Sequence, residues 1–132
     1  DQAIQVYREA FTTESATAQI DTPYVMAGIN VMVADTEEQA KREFTVVQQM
    51  FQDIQTGQRR LLQPPVEPNQ LTGVGAEHSM LRIQAVGSPH TVKTQLDDFV
   101  ARTGADELIT VTYAYDPAVR DRSYELLADV WF

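Results

Sequence analysis

Gln84-Ala85-Val86-Gly87-Ser88-Pro89-His90-Thr91-Val92, continued by Phe99-Val100-Ala101-Arg102-Thr103-Gly104-Ala105-Asp106-Glu107-Leu108-Ile109-Thr110-Val111-Thr112, spells one helix-to-strand unit with both ends punctuated. Ser88 is a residue type that accepts a hydrogen bond from a free amide of a first helical turn, and Pro89 stands where its missing N–H costs nothing. Val92, Leu96, Phe99 and Val100 form one apolar stripe, while Lys93, Asp97, Asp98 and Arg102 fall off it. Gly104 supplies the left-handed residue that ends the helix. The run 108–113 is β-branched and aromatic and suits a buried strand. Helix, short loop and strand make half of a βαβ unit.

Upstream, residues 24–34 are almost continuously apolar, which suits a parallel strand buried on both faces, with Gly28 marking close packing or a bend. Asp35 is a natural N-cap and Glu38 completes a capping-box pattern, so a helix is expected from Thr36. Ala40, Phe44, Val47, Phe51 and Ile54 give it one stripe running to Gly57. Residues 1–11 read as helix, with Ile4, Tyr7, Ala10 and Phe11 on one face. A polar linker over 12–22 is closed by Pro23, which forces Thr22 to extend.

Residues 58–75 contain Arg59-Arg60, Pro64-Pro65, Pro68, Gly73 and Gly75 and read as a flexible excursion. Residues 76–85 fit two patterns: Met80, Leu81 and Ile83 suit a short helix, the favoured reading, while Leu81, Ile83 and Ala85 also alternate as a strand does. Asp116 and Pro117 repeat the cap-and-first-residue signal for a last helix that carries Val119, Tyr124, Leu127, Val130 and Trp131 inward. The order predicts α/β alternation with two main parallel strands and several helices.

The 132 residues fit one domain, and 43% hydrophobic with 22% charged residues is ordinary for a globular chain. A net charge of -9 argues against a nucleic-acid surface, which needs clustered Lys and Arg. The absence of cysteine excludes disulfides, thiolate zinc sites and cysteine nucleophiles, and fits a cytoplasmic protein. The longest apolar run, 25–34, is far short of the roughly twenty residues of a membrane-spanning helix. Asp1 in place of Met, inside an amphipathic pattern, reads as a piece of a longer protein.

Taken together, Tyr24-Val25-Met26-Ala27-Gly28-Ile29-Asn30-Val31 with Ala34-Asp35-Thr36, Ala85-Val86-Gly87-Ser88-Pro89, Ala101-Arg102-Thr103-Gly104-Ala105-Asp106-Glu107-Leu108 and Arg122-Ser123-Tyr124-Glu125-Leu126-Leu127-Ala128, with Tyr7-Arg8-Glu9 ahead of them, resemble the C-terminal part of bacterial luciferase-like monooxygenases. The resemblance runs over essentially the whole chain. It implies that residues 1–132 are the C-terminal portion of one (β/α)8 TIM-type barrel, the two strong strands being its seventh and eighth. It further implies reduced flavin mononucleotide (FMN), dioxygen and an aldehyde, alkane, sulfonate or related organic substrate. The flavin-phosphate segment would lie upstream of Asp1. Implied partners are the remainder of the barrel and a flavin reductase that supplies reduced FMN.

In such a barrel the active site forms at the C-terminal ends of strands, which directs attention to Ala34 and Asp35, and to Thr112, Tyr113 and Tyr115. Thr112 and Tyr113 are the candidate cofactor contacts, against the alternative that such tyrosines close the core. Asp35 reads as a cap before it reads as a base. No catalytic residue is identified. His78 and His90 lack a second ligand at metal spacing, so no metal site is expected. Ser88 stands in Gly-Ser-Pro, not in a nucleophile elbow. Gly73 and Gly75 form no phosphate loop, and Arg59-Arg60 reads as a solvated pair.

Two further possibilities follow. As a separate piece the chain would be a non-catalytic fragment whose exposed strand edges drive self-association into a homo-oligomer. A self-sufficient small α/β binding domain would need a third strand, which only residues 81–86 can provide.

Overall fold

A computed structural model describes residues 2–71 and 81–132. Gly73, Gly75 and His78, the 72–75 end of the expected excursion and the 76–80 part of the ambiguous element lie outside the described residues. The elements are α1 (Gln2–Ala10), β1 (Met26–Val33), α2 (Glu37–Gln55), a 3-10 turn (Pro68–Gln70), β2 (Gln84–Gly87), α3 (Pro89–Thr103), β3 (Glu107–Val111) and α4 (Pro117–Trp131).

The strands are parallel in the order β2-β1-β3. β1 and β3, the two strong strands of the sequence, are direct neighbours. The third strand corrects the two-strand expectation and the helical reading of residues 84 and 85. It pairs with only the last four residues of β1, Asn30 to Val33. Gln84–Gly87 extends because Ala85 and Gly87 fill the α3 side of the sheet, and tertiary burial overrides a weak helical pattern.

Alternation along β1 separates two cores. Ala27, Ile29, Val31 and Val33 point to α3 and α4, where they meet Val92, Leu96, Phe99 and Leu126. Met32 points the other way and meets Ala40, Phe44, Val47 and Phe51 of α2, together with Leu81. Burying one such Leu or Phe contributes about 1.5–3 kcal/mol. α2 covers only the C-terminal end of its face, so β1 is not buried on both faces throughout: Met26 is 53% exposed. Gly28 corrects the close-packing expectation, since a Cβ there would meet nothing within 4 Å.

Several helix details differ from the pattern. Thr36, not Asp35, caps α2, its hydroxyl accepting from Gln39 N at 3.2 Å. Ile54 is exposed because the stripe outruns the sheet beneath it. α4 turns Ser123 and Leu126 inward and leaves Tyr124 exposed. Asp116 does cap α4, accepting from Ala118 N at 2.9 Å, and Gly104 ends α3 at φ 60. α1 buries no residue and is held by polar ties: Arg8 donates to the carbonyls of Thr103 and Gly104 at 2.9 and 2.6 Å, where the end of α3 leaves acceptors free. Residues 58–71 run beside α2, with Gln49 Nε2 donating to Pro64 O and Val66 N donating to Thr45 Oγ1, both at 3.0 Å.

Candidate functional site

Parallel register places Gly28 beside Ile109, and Asn30 between Val111 and Gln84, with side chains on the face that α2 leaves open. Ile109 is 49% and Val111 37% exposed, which corrects the expectation of a buried strand over 108–113. The result is a shallow apolar surface of Met26, Ile109 and Val111 with one amide, Asn30, in it. Asn30 Nδ2 donates to Ile83 O at 3.4 Å, and the neighbouring Gln84 Oε1 is buried without a partner.

The C-terminal ends of the strands bring the candidate residues near this surface but do not aim them together. Thr112 is buried and its Oγ1 has no hydrogen-bond partner, whereas Tyr113 and Tyr115 are exposed. Their burial separates the two, Thr112 lying inside and Tyr113 at the surface. Ala34 is buried and donates its N–H to Gly87 O at 3.2 Å. Asp35 accepts from Arg122 Nη2 at 2.8 Å, and this carboxylate, followed by Glu125, raises the guanidinium pKa. His90 is exposed on the first turn of α3. Arg60 pairs with Asp53 at 2.6 Å, which corrects the solvated-pair reading for that arginine.

Two carboxylates that the sequence reading did not name as site residues have shifted pKa values. Glu37 reaches from α2 to the start of α3, accepting from Ser88 N at 2.9 Å and Thr91 Oγ1 at 2.5 Å. Hydrogen bonding by Ser88 and Thr91 lowers its pKa to about 2. The Ser88 hydroxyl makes no capping bond, contrary to the sequence expectation, because Glu37 serves that helix end. Glu43 is buried, and burial pushes its carboxyl pKa up, opposed by Arg42 at 3.2 Å and reinforced by Asp116. A capping signal was visible at Asp35 and Glu38, but the partner of Glu37 lies 51 residues away in the sequence.

A flavin ring would find apolar and aromatic contacts here in Ile109, Val111 and Tyr113. Its phosphate would not: the N-terminal ends of α2, α3 and α4 are served by Thr36, Glu37 and Asp116, two of them carboxylates. The described residues thus suit part of such a cofactor and not its anionic end. Among them, no group of three His, Cys, Asp or Glu side chains is placed to hold a metal ion, and no helix is long and apolar enough to cross a membrane.

No family model matches the chain. It is 31% identical over 136 residues to a luciferase-like monooxygenase of Escherichia coli, covering 98% of this chain and 39% of the relative. The chain is homologous to the C-terminal part of luciferase-like monooxygenases. An uncharacterized protein of Bacillus subtilis, YvbT, is 38% identical over 133 residues with the same coverage of both chains. The crystal structure of apo-MsnO8 superimposes with a TM-score of 0.73 at 28% identity, over 98% of this chain and 40% of that one. The chain thus spans about two fifths of the curated luciferase-like relative and of YvbT.

Proposed function

We propose that this luciferase-like chain is the C-terminal wall of a flavin-dependent monooxygenase barrel, and that it is not catalytic on its own. The observation that carries the reading is the half-covered sheet. β1 and β3 present Met26, Asn30, Ile109 and Val111 on the part of that face that no described helix covers. In a closed barrel that face is the interior, and the loops after the strands, with Thr112, Tyr113 and Tyr115, reach the active-site end. Reduced FMN, when bound, supplies the reducing equivalents that activate dioxygen for oxidation of a small organic substrate. This chain's part is to line and dry one side of the ring site. The phosphate is held by residues outside it, in keeping with the carboxylates at the starts of α3 and α4.

In the cell the partners are the remaining barrel strands and a flavin reductase, in the cytoplasm, without nucleic acid or membrane. As a separate piece the chain self-associates through its exposed strand edges. Fluorescence quenching tests the reading: oxidised FMN titrated into this chain stays bright at micromolar protein, while the longer protein quenches it and consumes oxygen with reduced flavin and substrate. Tight one-to-one binding by the chain alone would overturn the wall reading, and a longer protein indifferent to flavin would overturn the activity.

A further inference from the structure

Tyr113 and Tyr115 stand on the connection between β3 and α4, so whatever holds that connection also places them. Among the described residues, 112–115 make no hydrogen bond, and Thr112 Oγ1 is buried without a partner. The connection is held by packing instead. Ala114, and Val119 in the first turn of α4, lie against the cluster that Phe44 and Val47 of α2 build on Met32.

Glu43 sits in that contact. It is only 6% exposed, and Asp116, the cap of α4, is near enough to act on its charge. The cation beside it is shared: Arg42 Nη1 lies 3.2 Å from Glu43 Oε1 and Arg42 Nε 3.2 Å from Glu67 Oε1, and the arginine side chain is itself 45% exposed. The other elements packed on α2 offer little more. β1 and β2 contain no titratable side chain, Arg120 of α4 is paired with Asp121, and Glu37 of α2 is bound at the start of α3. An ionised Glu43 is therefore a half-compensated charge that faces a second carboxylate out of water, which costs free energy that the neutral acid does not. That cost is relieved when the connection lifts and water reaches the carboxylate.

We propose that Glu43 is a positioning residue for the connection 112–116 and works as a proton-operated catch: the neutral acid lets Ala114 and Val119 seat on α2, whereas the carboxylate, facing Asp116, unseats them and releases Tyr113 and Tyr115. The catch belongs to this chain alone; its bearing on flavin rests on the proposed barrel reading. Burial raises the Glu43 pKa in the seated form, so seating is favoured at low pH and is lost as pH rises through that raised value.

Amide NMR of the chain between pH 4 and pH 8 tests the catch. The signals of Ala114, Tyr115 and Val119 move together with a midpoint above the ordinary carboxyl value of 4.5. In Glu43→Gln, which keeps the shape of the neutral acid, that movement is lost and the seated positions persist to pH 8. The histidines are the same in both chains, so the difference between them removes any histidine signal. Asp116→Asn still caps α4 but lacks the second charge, and it lowers the midpoint; this variant decides the matter where Glu43→Gln does not fold. Signals that stay still over the range, that move equally in Glu43→Gln, or whose midpoint ignores Asp116→Asn overturn the catch. No flavin enters these samples, so a longer protein indifferent to flavin leaves the catch standing, and a failed catch leaves the wall reading standing.

Discussion

Ser123 Oγ accepts the amide hydrogen of Val33 at 2.9 Å in the interior, fastening α4 to the last residue of β1. A backbone donor at the end of a central strand must be paired or wet, and here the hydroxyl of a completely buried serine pairs it. Ser123→Ala leaves that N–H without its acceptor. Urea denaturation will show a loss of about 1–3 kcal/mol. The neighbouring Arg122–Asp35 pair also joins α4 to the end of β1, but both side chains are about half exposed, so Asp35→Ala costs less than about 1 kcal/mol. Equal costs for the two substitutions would refute this ranking.

Glu37 makes stability depend on acid pH. Its folded pKa, about 2, lies below the ordinary 4.5, so its contribution is full above pH 4.5 and is lost as pH falls through the folded value. Glu43 acts in the opposite sense: its raised pKa favours the protonated folded form and costs stability as pH rises. Comparing Glu37→Gln with the unmodified chain cancels the Glu43 effect. The difference between their urea midpoints narrows steadily from pH 5 to pH 2. A constant difference over that range would mean that the carboxylate is not held as described.

Gly87→Ala is destabilising by about 1–3 kcal/mol, because the new methyl would stand 2.8 Å from Thr91 Cγ2 and 2.9 Å from Thr91 Cβ, as well as close to Glu37. The Thr91 Cβ is fixed by its own helix and cannot retreat. Gly28→Ala, on the same sheet, meets open space and shifts the urea midpoint little. The two midpoints measured side by side decide the point; a Gly28 variant as damaged as the Gly87 variant would show that the open face is filled.

What was legible in the sequence was local. Pro89, Gly104, Asp116 and Pro117 mark helix ends through bonds that close within a few residues, and those ends stand where the pattern puts them. β1 and β3 were legible as apolar runs. β2 was not, because four residues carry little period, and their extension is decided by what packs on Ala85. Ser88 and Asp35 had the right residue types for caps, but Glu37, distant in sequence, serves the start of α3, and Thr36 caps α2 while Arg122 holds the Asp35 carboxylate. Ser123 looked like any polar helical residue, and its role exists only once Val33 lies beneath it. The candidate site was legible only as a place, the ends of the strands, while the burial of Thr112 beside an exposed Tyr113 was not.

The sharpest contrast lies across the thickness of the sheet. Leu96 is 1% exposed in the core beneath β1, and Leu96→Ala opens a cavity that the surrounding Val31, Val92 and Phe99 cannot fill, at about 2–5 kcal/mol. Ile109, half exposed on the opposite face, touches no such core, and Ile109→Thr changes the isolated chain by no more than about 0.5 kcal/mol. If that face is the interior of a barrel, the same Ile109→Thr substitution in the longer protein buries a hydroxyl among apolar neighbours and costs several times more. Denaturant midpoints of both variants in both lengths of protein give the answer. A neutral Ile109→Thr in the longer protein would mean that the face stays open to water and that the barrel does not close over it.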